Sequence, residues 1–194
     1  MNWVEIAATA ITSHGAVQQP TELATLLEIL ALSPPRVVLE IGADRGGTVW
    51  AWKQLPGPPE VIAVDSYRGP GMSAGPVNLH GAALVTGDSH DASTVARVHD
   101  ILSTGRVDFL FIDADHSYEA VRADWQTYGP LLRPGGLAAF HDLRQHESMP
   151  PFGVDRLFNE ISVNRWACRI IAPDRGEWGG IGVITVAPPG SRPT

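Results

Sequence analysis

Apolar runs in this chain repeatedly end in an acid. Glu40 follows Val37-Val38-Leu39, Asp65 follows Val61-Ile62-Ala63-Val64, Asp88 lies just past an apolar run at 82–86, and Asp113 follows Phe109-Leu110-Phe111-Ile112. The first acid passes straight into a glycine turn, E-x-G-x-x-x-G over Glu40, Gly42 and Gly46. Carboxylates in such places accept hydrogen bonds from hydroxyls or amines, and glycines let the backbone approach a ligand closely. A dinucleotide site would instead carry G-x-G-x-x-G around a pyrophosphate, which an acid so near disfavours. The spacing therefore suits a cofactor without phosphate.

Strands one and two should be neighbours about 4.8 Å apart. Glu40 and Asp65 could then face one ribose or one cationic amino-acid head, while Asp88 and Ser89 accept from an adenine amine. An adenosyl cofactor with an ammonium group meets these demands together. Each acid alone also reads as a helix cap or a solvated loop acid; their recurrence at one edge of a parallel sheet carries the argument.

A second constellation is Asp113-Ala114-Asp115-His116, with Phe140-His141-Asp142 on the next strand. Adjacent strands would bring Asp113 and Asp142 together, and a divalent cation relieves the repulsion of paired carboxylates. His141 is a candidate third ligand, whose nitrogen suits Mn, Fe or Zn better than Mg. The alternative is that Asp142 caps a turn and His141 bonds within its loop. His116, at the mouth, can take a proton near neutral pH, or else is only an N-terminal helix residue.

The elements that must hold these groups alternate between strand-like apolar runs and helical periodicity, the pattern of a doubly wound, mostly parallel α/β sheet. Pro20 suits the first turn of a helix carrying Leu23, Leu26, Leu27 and Leu30. Strands are expected at 36–41, 61–65, 82–86, 107–113 and 137–141, then 166–171 and 181–186 as a closing antiparallel hairpin, seven in all. Helices are expected after the glycine turn to Leu55, from an Asp91 cap to Gly105, over 118–132, and around Val154–Ile161. Trp50 and Trp52 read as packing. Residues 1–35 form an N-terminal helical segment capping the site, 36–187 the main domain and 188–194 a disordered tail. The site's roof is expected from the N-terminal segment, the Gly- and Pro-rich loop 66–81, and the loop holding His146, Met149 and Phe152.

With 194 residues the chain is long enough for one well-cored domain. Its single cysteine, Cys168, cannot form an internal bridge and reads as a small core residue in a reducing cytoplasm. No run is long and apolar enough for a membrane span, and the start lacks a basic signal-peptide head. The net charge of −7, with Lys53 the only lysine, argues against nucleic acid and for a small-molecule partner. An exposed N-terminal helix suits a homodimer.

The run F-I-D-A-D-H-S-Y-E-A-V-R-A-D-W, then P-L-L-R-P-G-G, then F-H-D, resembles class I S-adenosylmethionine-dependent methyltransferases. It is similar to the small-molecule O-methyltransferases of the cephalosporin hydroxylase-like and macrolide sugar O-methyltransferase group. The likeness runs from about Val37 to Asp142 and implies a Rossmann-like methyltransferase fold. It implies that Gly42, Ala43 and the loop to Gly46 hold the methionine part, Asp65 and Ser66 the ribose, and Gly87, Asp88 and Ser89 the adenine, with Glu40 and Asp113 completing the cofactor set. It implies that Asp113, His141 and Asp142 bind Mg or Mn and that His116, beside Asp113, is the base. His141 departs from the metal-dependent relatives, which carry an acid there. The implied reaction is O-methylation of a small-molecule hydroxyl: a natural product, sugar or phenolic. Two rivals remain: an NAD(P)-dependent oxidoreductase, and a catalytically silent cofactor-binding module that keeps the fold.

Overall fold

The computed structural model describes residues 1–67, 77–102, 105–144, 152–172 and 178–186. Two helices lead, α1 (Trp3–His14) and α2 (Pro20–Leu32), followed by β1 (Val37–Ile41), α3 (Gly47–Trp52), β2 (Glu60–Asp65), β3 (Ala83–Thr86) and α4 (Ala92–Ile101). Then come β4 (Val107–Ile112), α5 (Tyr118–Tyr128), β5 (Leu132–Phe140), α6 (Val154–Ser162), β6 (Ala167–Ile170) and β7 (Ile181–Thr185). The strands form one sheet in the order β3-β2-β1-β4-β5-β7-β6. Strands β1 to β5 are parallel, and β7 runs antiparallel to both neighbours. The doubly wound sheet and its closing antiparallel hairpin are thus as the residue pattern predicts.

Side chains alternate across β1 and β4, and each face buries a separate core. Val38, Phe109 and Phe111 pack with Trp52 and the leucines of α2, whereas Leu39, Leu110 and Ile112 pack with Val98, Val121, Tyr128 and Leu157. Because both faces are covered, the strands read as continuous apolar runs. Trp52 meets Phe109 and Phe111 edge-on, each at 5.4 Å between ring centres.

Several boundaries differ from the sequence expectation. Helix α3 stops at Trp52, and tighter bonds from Gln54 to Ala51 and from Leu55 to Trp52 replace its last turn. Helix α5 gives way to a 3₁₀ turn at Gly129–Leu131, because Pro130 has no N–H to continue it. Strand β5 begins at Leu132 rather than at 137. Pro134-Gly135-Gly136, ahead of the expected start, lies inside the strand, where the register shifts between Val107 and Phe109 and Gly135 and Gly136 exchange hydrogen bonds with Val186. Asp91 occupies the cap position of α4 but forms no side-chain cap bond.

Helix α1 is less exposed than expected: Ala7 and Ala10 are fully buried among the residues of α2 and α3. Buried Glu22 of α2 accepts from the amides of Ala172 and Gly180 at 2.7 and 2.8 Å, tying the N-terminal helices to the hairpin. No helix among the described residues is long and apolar enough to cross a membrane. The middle of the 66–81 loop, His146, Met149 and the tail 188–194 lie outside the described residues.

Candidate active site

The candidate residues other than Glu40 gather at the carboxyl edge of the sheet, where the ladder continues into the loops. Gly42 N donates to Val64 O, Asp113 N to Ile41 O, Gly87 N to Asp65 O, and His141 N to Ile112 O, at 2.8–3.1 Å. This order leaves little room beside β1. Gly42 has φ +87°, and a Cβ there would stand 2.1 Å from Asp113 O, so only glycine lets the two loops meet.

Over β1 and β2 the carboxylates are already engaged. Asp65 Oδ2 accepts from the amides of Ala43 and Asp44 at 2.9 and 2.8 Å, and Oδ1 accepts from Tyr67 N at 2.6 Å. It therefore shapes the glycine loop in addition to any ligand contact. Glu40 does not turn to the rim as expected. It shares a face with Val38, and its fully buried carboxyl accepts from Thr48 Oγ1 and, at 2.9 Å, from Trp52 Nε1. Burial pushes its pKa up to about 8 against the lowering effect of these two donors, with Asp113 and Asp65 adding to the rise. The Tyr67 hydroxyl, buried and without a hydrogen-bond partner among the described residues, is pushed up to about 12 by burial and by the carboxylates of Asp65, Asp44 and Glu40.

Beside β3, a cleft of about 570 Å³ is lined by Ser66, Gly87, Asp88 and the first turn of α4. Asp88 keeps its side chain 60% exposed. The backbone of this loop is anchored to α5, since Tyr128 donates to Ser89 O at 2.7 Å and His90 Nε2 lies 3.2 Å from buried Asp124. Burial pushes Asp124 up to about 6, against the lowering effects of Ser89 and His90. Sequence reading missed this anchor, whose parts belong to different elements.

Over β4 and β5 the geometry is different. Asp113 Oδ1 stands 3.1 Å from His141 Nδ1 and 3.3 Å from His116 Nε2. Asp142 Oδ2 lies 3.5 Å from His141 Nδ1 and 3.4 Å from His116 Nε2. Asp142 adopts φ +60°, a left-handed conformation that Asp tolerates better than most non-glycine residues. One ligand atom from each of Asp113, His141 and Asp142 falls within 4.8 Å of the others, so the structure groups the expected metal set. His141 Nε2 and Asp142 Oδ1 are buried with no hydrogen-bond partner among the described residues.

Burial opposes the charge on Asp113, but His141 and His116 outweigh it and hold its carboxyl far below the usual range. Burial likewise works against His141, which Asp113 and Asp142 nonetheless push up to about 10. His116 is the accessible member: its side chain is 25% exposed, and its ring packs 4.8 Å from that of Phe152. Its pKa is raised because the hydrogen bond and charge of Asp113, with Asp142, exceed the cost of burial.

Sequence reading also missed Gln18. It lies between α1 and α2, and its Nε2 donates to Asp113 Oδ2 at 2.7 Å. No periodic signal marks it; only a polar pair before Pro20 hints at it.

Comparison with known proteins gives this edge a context. The O-methyltransferase TomG from Streptomyces achromogenes, solved with S-adenosylmethionine, is 20% identical with a TM-score of 0.63, covering 97% of this chain and 91% of its own. An O-methyltransferase from Bacillus cereus, solved with S-adenosylhomocysteine, is 19% identical with a TM-score of 0.62, covering 95% of this chain and 91% of its own. The MycE methyltransferase of mycinamycin biosynthesis, solved with Mg, S-adenosylhomocysteine and mycinamycin VI, is 16% identical with a TM-score of 0.67, covering 100% of this chain and 57% of its own. These matches establish a shared fold. Among curated sequences, protein y4gI of Sinorhizobium fredii is 28% identical over 145 residues, and protein R132 of Acanthamoeba polyphaga mimivirus 25% over 139. Those alignments span 15% and 62% of the two relatives, less than two thirds of either. The methyltransferase-domain profile matches residues 39–143, more than half of the chain, which therefore belongs to the methyltransferase-domain family.

Proposed function

We propose that this protein transfers a methyl group from S-adenosylmethionine to a hydroxyl oxygen of a small molecule, with a divalent cation at Asp113, His141 and Asp142. The observation that carries this reading is the cluster over β4 and β5, in which an accessible imidazole stands beside Asp113 at the mouth of the cofactor edge. The solved neighbours that bind S-adenosylmethionine, S-adenosylhomocysteine or Mg support it.

The residues fit both groups. The glycine loop and Asp65 provide a close-approach cradle, with the Tyr67 hydroxyl beside it as a donor; Ser66, Gly87 and Asp88 line the nucleoside side, and Ser89 follows them in the same loop. Asp113, His141 and Asp142 each bring one ligand atom within 4.8 Å of the others, a grouping that suits a cation, and the imidazole favours Mn over Mg. S-adenosylmethionine, when bound, supplies a methyl group already activated on a sulfonium; the cation, when bound, lowers the pKa of a nearby hydroxyl.

The chain's remaining work is orientation and proton removal. Orientation contributes roughly 7–11 kcal/mol and a general base about 100- to 10,000-fold. The other ring nitrogen of His116, Nδ1, takes the acceptor's hydroxyl proton as the oxygen–methyl bond forms, and Asp113 and Asp142, which accept from Nε2–H, stabilise the resulting imidazolium. Phe152 offers an apolar wall against the base. In the same reading the chain works in the cytoplasm as a homodimer built on α1, where Val4 is 59% exposed, an assembly that light scattering would measure.

The test is calorimetry with S-adenosylhomocysteine, followed by product formation across catechols, sugars and other hydroxyl compounds, with and without chelator. Binding followed by turnover that chelator abolishes is the expected result. Binding without any product favours the silent module, and binding of NAD in its place favours the oxidoreductase. A chelator-insensitive rate favours a second reading, suggested by the raised pKa of His141, in which its proton neutralises the two acids.

A further inference from the structure

Gln18 comes from outside the residues matched by the family profile, yet it touches the centre of the site. The route is specific. The linker between α1 and α2 crosses the start of α3, where a Cβ on Gly47 would stand 2.1 Å from Ala16 N. The second glycine of the Gly46-Gly47 pair thus lets the linker lie against the helix and carries Gln18, 5% exposed, to Asp113. The orientation of the carboxamide follows from chemistry: a carboxylate accepts, so the NH₂ must face Asp113. Its Oε1 is buried with no hydrogen-bond partner among the described residues, an arrangement the fold alone does not require.

Resting on the cation-assisted reading above, we propose that Gln18 is a positioning residue: it occupies Asp113 Oδ2 and fixes the carboxylate so that Oδ1 alone faces His116, His141 and the cation. Groups that orient a ligand in this way typically change metal affinity about 10- to 100-fold when removed. Packing of the N-terminal helices then becomes a condition for a working site, because the residue that aims Asp113 belongs to their linker.

The experiment uses the full chain and Gln18→Leu, which keeps the bulk and removes the donor. Binding of Mn²⁺ is followed by the paramagnetic resonance signal of the free ion, and S-adenosylhomocysteine binding by calorimetry. The expected result is Mn²⁺ affinity lower by about 10- to 100-fold, with S-adenosylhomocysteine affinity and thermal midpoint near those of the wild type. Unchanged Mn²⁺ affinity in the variant overturns the proposal. Wild-type protein that binds S-adenosylhomocysteine but no Mn²⁺ removes the cation and this role with it, leaving the methyltransferase reading intact. Wild-type protein that binds neither overturns both. Should Gln18→Leu not fold, Gln18→Asn, which keeps the carboxamide but falls one methylene short, is measured and read in the same way.

Discussion

Two corners of one sheet edge carry the same signal, an acid at the end of an apolar strand, and use it in opposite ways. Over β1 and β2, Glu40 and Asp65 accept from Thr48, Trp52 and loop amides, so their carboxyls brace the cradle. Over β4 and β5, Asp113 and Asp142 face imidazoles, and a buried nitrogen and oxygen have no hydrogen-bond partner among the described residues. What separates the corners is the supply of donors. A glycine loop and a following helix offer N–H and O–H groups within reach, while the loops after β4 and β5 offer histidines, which can give up or take a proton. An acid with fixed donors is architecture; one with titratable partners is chemistry.

Substitutions at the two corners should therefore fail differently. The largest effect is expected for His116→Ala, a fall in turnover of about 100- to 10,000-fold; S-adenosylhomocysteine affinity by calorimetry should stay near wild type, and unchanged turnover would take His116 out of the mechanism. Glu40→Ala should act on the fold first. It strands two buried donors at about 1–3 kcal/mol each, seen as a lower urea midpoint; a large loss of cofactor affinity with stability intact would return Glu40 to the ligand.

Glu40→Gln sharpens the same contrast through pH. In the folded chain Glu40 keeps its proton to about pH 8, against an ordinary value of 4.5. The folded state thus binds the extra proton, and stability falls as pH rises through that window. Glutamine cannot titrate, so a series of urea midpoints from pH 5 to 8 should decline less steeply in the variant, by on the order of one to a few kcal/mol across the range. The smallest effect is expected for Asp88→Asn at the exposed rim, roughly 0.5–1.5 kcal/mol of S-adenosylhomocysteine affinity; a loss of hundreds-fold would make this corner dominant.

The middle of the sheet was legible because β1, β2 and β4 are buried on both sides and read as apolar runs that end at an acid. His116, His141, Asp142 and Asp113 were legible because two neighbouring strands deliver them to one end. The direction of Glu40 was hidden by the same double burial: with both faces apolar, nothing in Val38-Leu39-Glu40-Ile41 marks which side holds Thr48 and Trp52. Gln18 and the anchor from Asp124 to His90 were invisible for a different reason. Their partners lie 95 and 34 residues away by number, in elements whose relative placement only the packed core decides.

The Glu22 tie bears on how this chain leaves the ribosome. Its acceptor oxygens wait for amides 150 and 158 residues downstream. At about 5–20 residues per second that is roughly 10–30 s of translation with an acid that cannot yet be buried at rest. The N-terminal helices, made before the hairpin, are therefore expected to finish docking after it, and nascent chains stopped before Gly180 should keep Gln18 away from Asp113 and give proteases ready access to α2.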